Sequence, residues 1–124
     1  SGPAGERALH VRRGTSLSEA LLMTTSPLLM KENDRASFGK VEKAVRLSRY
    51  GGDCYAYCML AAGHVDLVIE TELKPYDILP LIPIISGAGG IVTTWDGDTP
   101  SAGGRIIAAG DRRIHEAAMK ILNG

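Results

Sequence analysis

The segment from Tyr50 to Gly90, YGGDCYAYCMLAAGHVDLVIETELKPYDILPLIPIISGAGG, constrains this chain more than the rest of its sequence does. A glycine pair opens a helix, an apolar strand delivers Glu70, and Pro75-Tyr76 presents Asp77 at the start of a second apolar helix. Gly51-Gly52-Asp53 sits between a strand and a helix, so the first helix amides lack intrahelical partners and the positive dipole end faces outward from the strand's carboxyl edge. Glu70 closes an otherwise apolar run and is therefore either at a wet rim or committed to a partner. Plain structural roles compete with these: Asp53 and Asp77 can each cap a helix, and the glycines can simply form a tight turn. Together, carboxylates at helix and strand ends beside free amides suit a site for a cation and a phosphate.

The chain has 124 residues, 44% of them hydrophobic, enough for one domain with a single core. Fourteen Lys plus Arg balance fourteen Asp plus Glu, so there is no field to gather nucleic acid or an anionic membrane surface. The apolar run Ile78 to Ile85 is too short to span a bilayer and carries Pro80 and Pro83, and no signal-like apolar core opens the sequence. Only Cys54 and Cys58 are present, too few for a secreted disulfide framework. A soluble, cytoplasmic protein with reduced, buried and inert cysteines is expected. The Ser1-Gly2-Pro3 opening lacks a methionine and suggests a piece of something longer.

Strands are expected at Ala8 to Arg12, Leu21 to Thr24, Val45 to Tyr50, Leu67 to Glu72, Ile91 to Thr94 and Ile106 to Ala109. Helices are expected as one turn over Ser16 to Ala20 capped by Ser16, then at Arg35 to Ala44 with Phe38 and Val41 inward, and at Cys54 to Ala62. Two more are expected over Tyr76 to Ala88, bent by its prolines, and after Asp111, with Ile114, Ala118, Ile121 and Leu122 on one face. The result is an α/β layered domain over residues 1–124, with a mixed sheet of five or six strands between helices.

From about Ala20 to Leu122 the chain resembles the carboxyl-terminal half of the inositol monophosphatase family. Tyr76-Asp77 and Ala88-Gly89-Gly90 stand at the spacing of the family's Trp-Asp and Ala-Gly-Gly. Gly51-Gly52-Asp53 takes the place of its Gly-Thr-Ala, and Glu70 falls on its substrate-contacting glutamate. The pattern Tyr50-Gly51-Gly52-Asp53-Cys54-Tyr55, followed by Lys74-Pro75-Tyr76-Asp77, looks most like the histidinol-phosphate phosphatase branch. The resemblance implies the fold of that family's carboxyl-terminal domain, two or three Mg²⁺ ions with Asp77 a ligand of one, and in-line attack of a metal-activated water on a phosphate monoester. It further implies phosphate held by the Gly52 and Asp53 amides, and substrate selection by Glu70 and Asp53. A carboxylate at position 53 suits histidinol phosphate, which carries an amine and an imidazole, over inositol monophosphate. A homodimer is expected, without nucleic acid or membrane partners.

The family's other metal ligands, a glutamate and an Asp-Pro-x-Asp-Gly-Thr segment, have no counterpart in Ser1 to Tyr50. The isolated chain is therefore expected to be inactive. A different class of reading is a non-catalytic assembly module whose Tyr76 to Ala88 helix packs on a partner. Of Tyr55 and Tyr57 only one can face the site, and Tyr55 lies nearer the helix start. Arg49 can reach phosphate or pair with Asp53, or else stay in solvent. His10, His64 and His115 share no face and suggest no metal or acid-base role, and Trp95-Asp96-Gly97 reads as a loop turn.

Overall fold

The computed structural model describes residues 9–124. Five strands form one sheet: β1 (Leu21–Thr24), β2 (Leu47–Tyr50), β3 (Leu67–Leu73), β4 (Ile91–Thr94) and β5 (Gly104–Ala109). Their order is β2-β1-β3-β5-β4, with β2, β1 and β3 mutually parallel and β5 antiparallel to both β3 and β4. The expected mixed sheet is therefore present.

Alternation along each strand splits the core in two. Leu22, Leu67, Ile69, Ile107 and Ala109 face α1 (Glu32–Ala44) and α5 (Arg112–Asn123), meeting Phe38, Val41, Ile114, Ala118 and Leu122. Met23, Val68, Ile106 and Ala108 face the opposite layer, α2 (Asp53–Ala61), α3 (Pro75–Ile78) and α4 (Ile82–Gly87), meeting Ala56, Tyr57, Leu60, Ile78 and Ile85. Because side chains alternate, Glu70 shares the face of Val68 and points into the α2 to α4 layer. No helix among the described residues is long and apolar enough to cross a membrane.

Several expectations need correction. Leu9 to Arg12 do not form a strand, and Ala8, like Ser1-Gly2-Pro3, lies outside the described residues. This segment is held instead by Val11 N–H to the Ala88 carbonyl at 3.0 Å and by a two-pronged pair between Arg12 and the fully buried Asp66. Its one-sided anchoring leaves no continuous ladder. The turn after Ser16 is a 3₁₀ turn, Leu17–Glu19, and the Ser16 side chain does not cap it. Helix α1 starts at Glu32, earlier than expected, with Glu32 and Asp34 in a first turn that favours negative charge.

The expected helix from Tyr76 to Ala88 is not bent but split, with a turn from Leu79 to Leu81 between α3 and α4. Pro80 and Pro83 lack the amides that would bond back to residues 76 and 79, and in an unbroken helix the Pro83 ring would clash with the turn before it. Pro83 instead sits in the first turn of α4, where a missing donor costs nothing. Asp111 caps α5 as expected, its carboxylate accepting Arg113 N–H at 2.8 Å. Trp95 begins a turn, as expected, with its ring buried and its Nε1 donating to the Ile106 carbonyl.

Candidate functional site

The carboxyl ends of the parallel strands β2, β1 and β3 converge, which is where open α/β sheets place their ligands. Tyr50 leads directly from β2 into Gly51-Gly52, and the two glycines are required for different reasons. Gly51 has φ +86, a left-handed conformation that glycine adopts freely. A Cβ on Gly52 would stand 2.8 Å from both Ala56 Cβ and Met23 Cε, so its lack of a side chain lets α2 approach β1. The Gly51 amide donates to the Thr25 carbonyl at 2.6 Å, and the Gly52 amide lies 3.5 Å from the Thr24 carbonyl. Both turn amides thus point toward the chain's own carbonyls. By position, the amides of Asp53 and the next residues of α2 are those without an intrahelical acceptor.

Asp53 does not cap α2. It is the helix's first residue, at φ +48, and its carboxylate accepts from Thr25 Oγ1 at 3.3 Å instead of from a helix amide. Asp is among the few side chains that tolerate this conformation, at a cost of about 1 kcal/mol. Arg49 is exposed, and among the described residues no ion pair joins it to Asp53.

Glu70 is only 4% exposed. Its Oε2 accepts from Thr25 N–H at 2.8 Å and Thr24 Oγ1 at 3.2 Å, and its Oε1 from Thr25 Oγ1 at 3.2 Å. Burial raises its pKa above the ordinary carboxylate value, with Thr25 and Thr24 donors pulling it back and the Asp53 charge pushing it up. Just beyond it the β3 ladder is irregular: Glu70 is opposite Ile106 but Leu73 is opposite Gly104, so β3 carries an extra residue there. Glu72 takes φ +60 within this bulge. Bulges bend the bulged strand, and this one carries β3 past the site toward Pro75.

Asp77, exposed on α3, accepts Lys74 N–H through Oδ2 at 2.9 Å. It therefore does what a capping residue does, while its second oxygen accepts no hydrogen bond from the described residues. Asp53, Glu70 and Asp77 line one open cleft of about 280 Å³ together with Thr25, Cys54, Tyr57, Leu73 and Leu81. A second cleft of about 290 Å³ lies on the other side of Thr25, Asp53, Glu70 and Leu73, against Ser26, Leu29, Met30 and Thr71. The five residues singled out from sequence thus fall together, the glycines shaping the turn and the three acids lining the cavity.

Two expectations about α2 fail. Tyr55 is 64% exposed, and Tyr57 is the tyrosine at the cleft. Cys54 and Cys58 are exposed free thiols, and Cys54 lines the cleft. The buried residues Ala56, Tyr57, Leu60 and Ala61 turn one face of α2 inward and leave both cysteines on another. Thr24 and Thr25, which hold Glu70, were not singled out; hydroxyls at the end of apolar β1, beside a strand that ends in a carboxylate, are the signal that finds them. His115 is buried and 2.8 Å from Thr93 Oγ1, with burial lowering its pKa, and it takes no part in the cleft.

A sequence model of the inositol monophosphatase family matches residues 3–124. The bifunctional phosphatase IMPL2, chloroplastic, of Arabidopsis thaliana is 43% identical over 123 residues, covering 92% of this chain and 36% of that protein. The histidinol-phosphatase of Streptomyces coelicolor is 34% identical over 116 residues, covering 93% of this chain and 43% of that protein. Among solved structures, an inositol monophosphatase from Zymomonas mobilis superposes with a TM-score of 0.89 at 41% identity, over 94% of this chain and 47% of that one. The chain spans less than half the length of these relatives. A match that runs nearly end to end in sequence and holds in three dimensions makes this chain a member of the inositol monophosphatase family.

Proposed function

We propose that this chain is the carboxyl-terminal half of a Mg²⁺-dependent phosphate monoester hydrolase whose substrate is histidinol phosphate. The observation that carries the reading is the meeting of Asp53, Glu70 and Asp77 on one cleft at the head of α2. A relative named histidinol-phosphatase supports the choice of substrate.

The donor set fits Mg²⁺ in part. Asp77 offers a hard carboxylate oxygen while its other oxygen is anchored by Lys74 N–H. Among the described residues no group of three or more His, Cys, Asp or Glu side chains is placed to hold a metal. On this proposal the remaining ligands come from the other half of the protein, as the resemblance implies, and this chain alone is inactive. When bound, the metal supplies an activated water and neutralises charge on the leaving oxygen.

This chain's residues bind and orient. The unpaired amides at the start of α2 receive phosphate oxygens, Asp53 rather than Gly52 leading because the Gly52 amide is directed at Thr24. Asp53 and Glu70 present negative charge to the amine and imidazole end of the substrate, which a polyol phosphate cannot use. Glu70 is held against rotation by Thr24 and Thr25, so it meets the substrate in one position. Leu28 and Leu29, 77% and 64% exposed, offer apolar surface to the rest of the protein, and a cytoplasmic homodimer is part of the proposal.

The test is kcat/KM of the full-length protein with Mg²⁺ on histidinol phosphate and on inositol monophosphate. Preference for histidinol phosphate supports the reading, and preference for inositol monophosphate replaces it. Absence of turnover on both favours an assembly module without chemistry.

A further inference from the structure

Cys54 and Cys58 are the part of the sequence that the proposed reaction leaves unused. Both are exposed free thiols, four residues apart on α2, while Ala56, Tyr57, Leu60 and Ala61 are buried on the other side of the helix. Residues four apart on a helix stand one above the other, with Cβ atoms about 5–6 Å apart. A disulfide needs about 3.5–4.5 Å between the same atoms, so the two thiols cannot bond to each other while α2 stays helical. A single atom bridging the two sulfurs supplies the missing reach. Thiol sulfurs select soft, thiophilic centres over hard cations. Among the described residues no third His, Cys, Asp or Glu is placed to join them, so a four-coordinate zinc site is not formed. A centre that two sulfurs satisfy fits instead, and trivalent arsenic carrying one carbon substituent is such a centre.

We infer that Cys54 and Cys58 form a dithiol site for a monosubstituted trivalent arsenical, and that its occupation closes the cleft of Asp53, Glu70 and Asp77. Closure follows from position. Cys54 lines that cleft of about 280 Å³, and Cys58, one turn further along α2, does not. Cys54 follows Asp53 in the first turn of α2, so an aryl group fixed on its sulfur stands beside the amides proposed above to receive phosphate. The chemistry balances without an oxidant. Each thiol gives its proton to the oxygen of phenylarsine oxide, two S–As bonds form, arsenic loses its oxygen, and that oxygen leaves as one water. Arsenic stays trivalent throughout. The second S–As bond closes within one molecule, at an effective thiol concentration on the order of millimolar, which holds the arsenical against competing monothiols.

Full-length protein treated with phenylarsine oxide tests both parts. Both thiols are exposed, so Cys54→Ser and Cys58→Ser keep the fold. The variant carrying both substitutions sets the background from any other thiols. Above that background, intact mass is expected to show one phenylarsenic on the wild type, which excess glutathione leaves in place and 2,3-dimercaptopropanol removes. Each single variant is expected to bind at least about tenfold more weakly. Wild-type binding no tighter than that of the single variants overturns the dithiol site.

Closure rests on the proposed phosphatase reading and is read separately, by the thermal upshift that inorganic phosphate with Mg²⁺ gives. The arsenical-loaded wild type is expected to lose that upshift, and Cys58→Ser, treated alike and rinsed with glutathione, is expected to keep it. An upshift that persists in the loaded wild type overturns closure. Untreated protein that phosphate and Mg²⁺ do not stabilise contradicts the phosphatase reading instead, and the mass measurement still decides the dithiol site.

Discussion

Thr24→Val isolates how Glu70 is kept charged inside the protein. Thr24 is 0% exposed, and its hydroxyl reaches Glu70 Oε2 at 3.2 Å. Valine has the same branched shape, so the substitution removes a donor without opening a cavity. A hydrogen bond to a charged group contributes about 1.5–3 kcal/mol, and the 3.2 Å separation puts this one near the lower end, about 1.5–2 kcal/mol. For a domain of this size that corresponds to a loss of roughly 5–8 °C in thermal midpoint.

The pH dependence follows from the sign of the shift. Burial raises the folded pKa of Glu70 above its ordinary value of 4.5, so the stability tied to this group is complete below that value and is lost as pH rises through the folded pKa. Removing the Thr24 donor raises the folded pKa further and widens that window. The cost of Thr24→Val, measured by urea unfolding, is therefore small near about pH 4 and reaches its full size near about pH 8. An equal cost at both pH values, or one under about 0.5 kcal/mol throughout, refutes the account of Glu70 as a buried carboxylate held by hydroxyl donors.

Three other perturbations test the surroundings. Gly52→Ala puts a Cβ 2.8 Å from Ala56 Cβ in α2 and from Met23 Cε on β1, so the first turn of α2 and the Met23 side chain must both shift, costing about 1–3 kcal/mol in denaturant unfolding and weakening phosphate protection against heat. Asp53→Asn keeps a side chain that tolerates φ +48 while removing the charge, so stability holds and the kcat/KM preference for histidinol phosphate over inositol monophosphate falls roughly three- to tenfold. Asp111, whose pKa is lowered from 3.8 to about 2 by the Gly14 amide and then Arg113, caps α5. Asp111→Ala costs about 1–2 kcal/mol at neutral pH, and because a depressed pKa contributes stability that is lost as pH falls through about 2, the difference from wild type shrinks between pH 4 and pH 2.

The layered α/β plan and five strands were legible because their residues carry unambiguous patterns. Leu67 to Ile69 is apolar without a break, as a strand covered on both faces must be, and Gly51 to Asp53 and Pro75 to Asp77 mark helix starts in their own residue types. What stayed hidden depended on partners distant in sequence. Leu9 to Arg12 alternates like a strand but is tied by Arg12 to Asp66, a contact no local pattern announces. Helix α2 reads as apolar on nearly every side, Cys-Tyr-Ala-Tyr-Cys-Met-Leu-Ala, so periodicity assigns no inward face. Its phase is set by the left-handed Asp53 and by the Gly52 contact with Met23 and Ala56, which turns Tyr57, not Tyr55, to the cleft. Both prolines of the α3 to α4 segment were visible, yet whether they bend or split a helix depends on whether Ile78 and Ile85 can both stay buried across the break, as they do.

The central claim is that Asp77 brings this cleft its divalent cation. Phosphate release from histidinol phosphate by the full-length protein, titrated with Mg²⁺, compares wild type with Asp77→Asn, which retains an acceptor for Lys74 N–H and so preserves the turn. The account predicts Mg²⁺-dependent turnover in the wild type and background rates in the variant at every Mg²⁺ concentration. Turnover by Asp77→Asn with an unchanged Mg²⁺ requirement contradicts it.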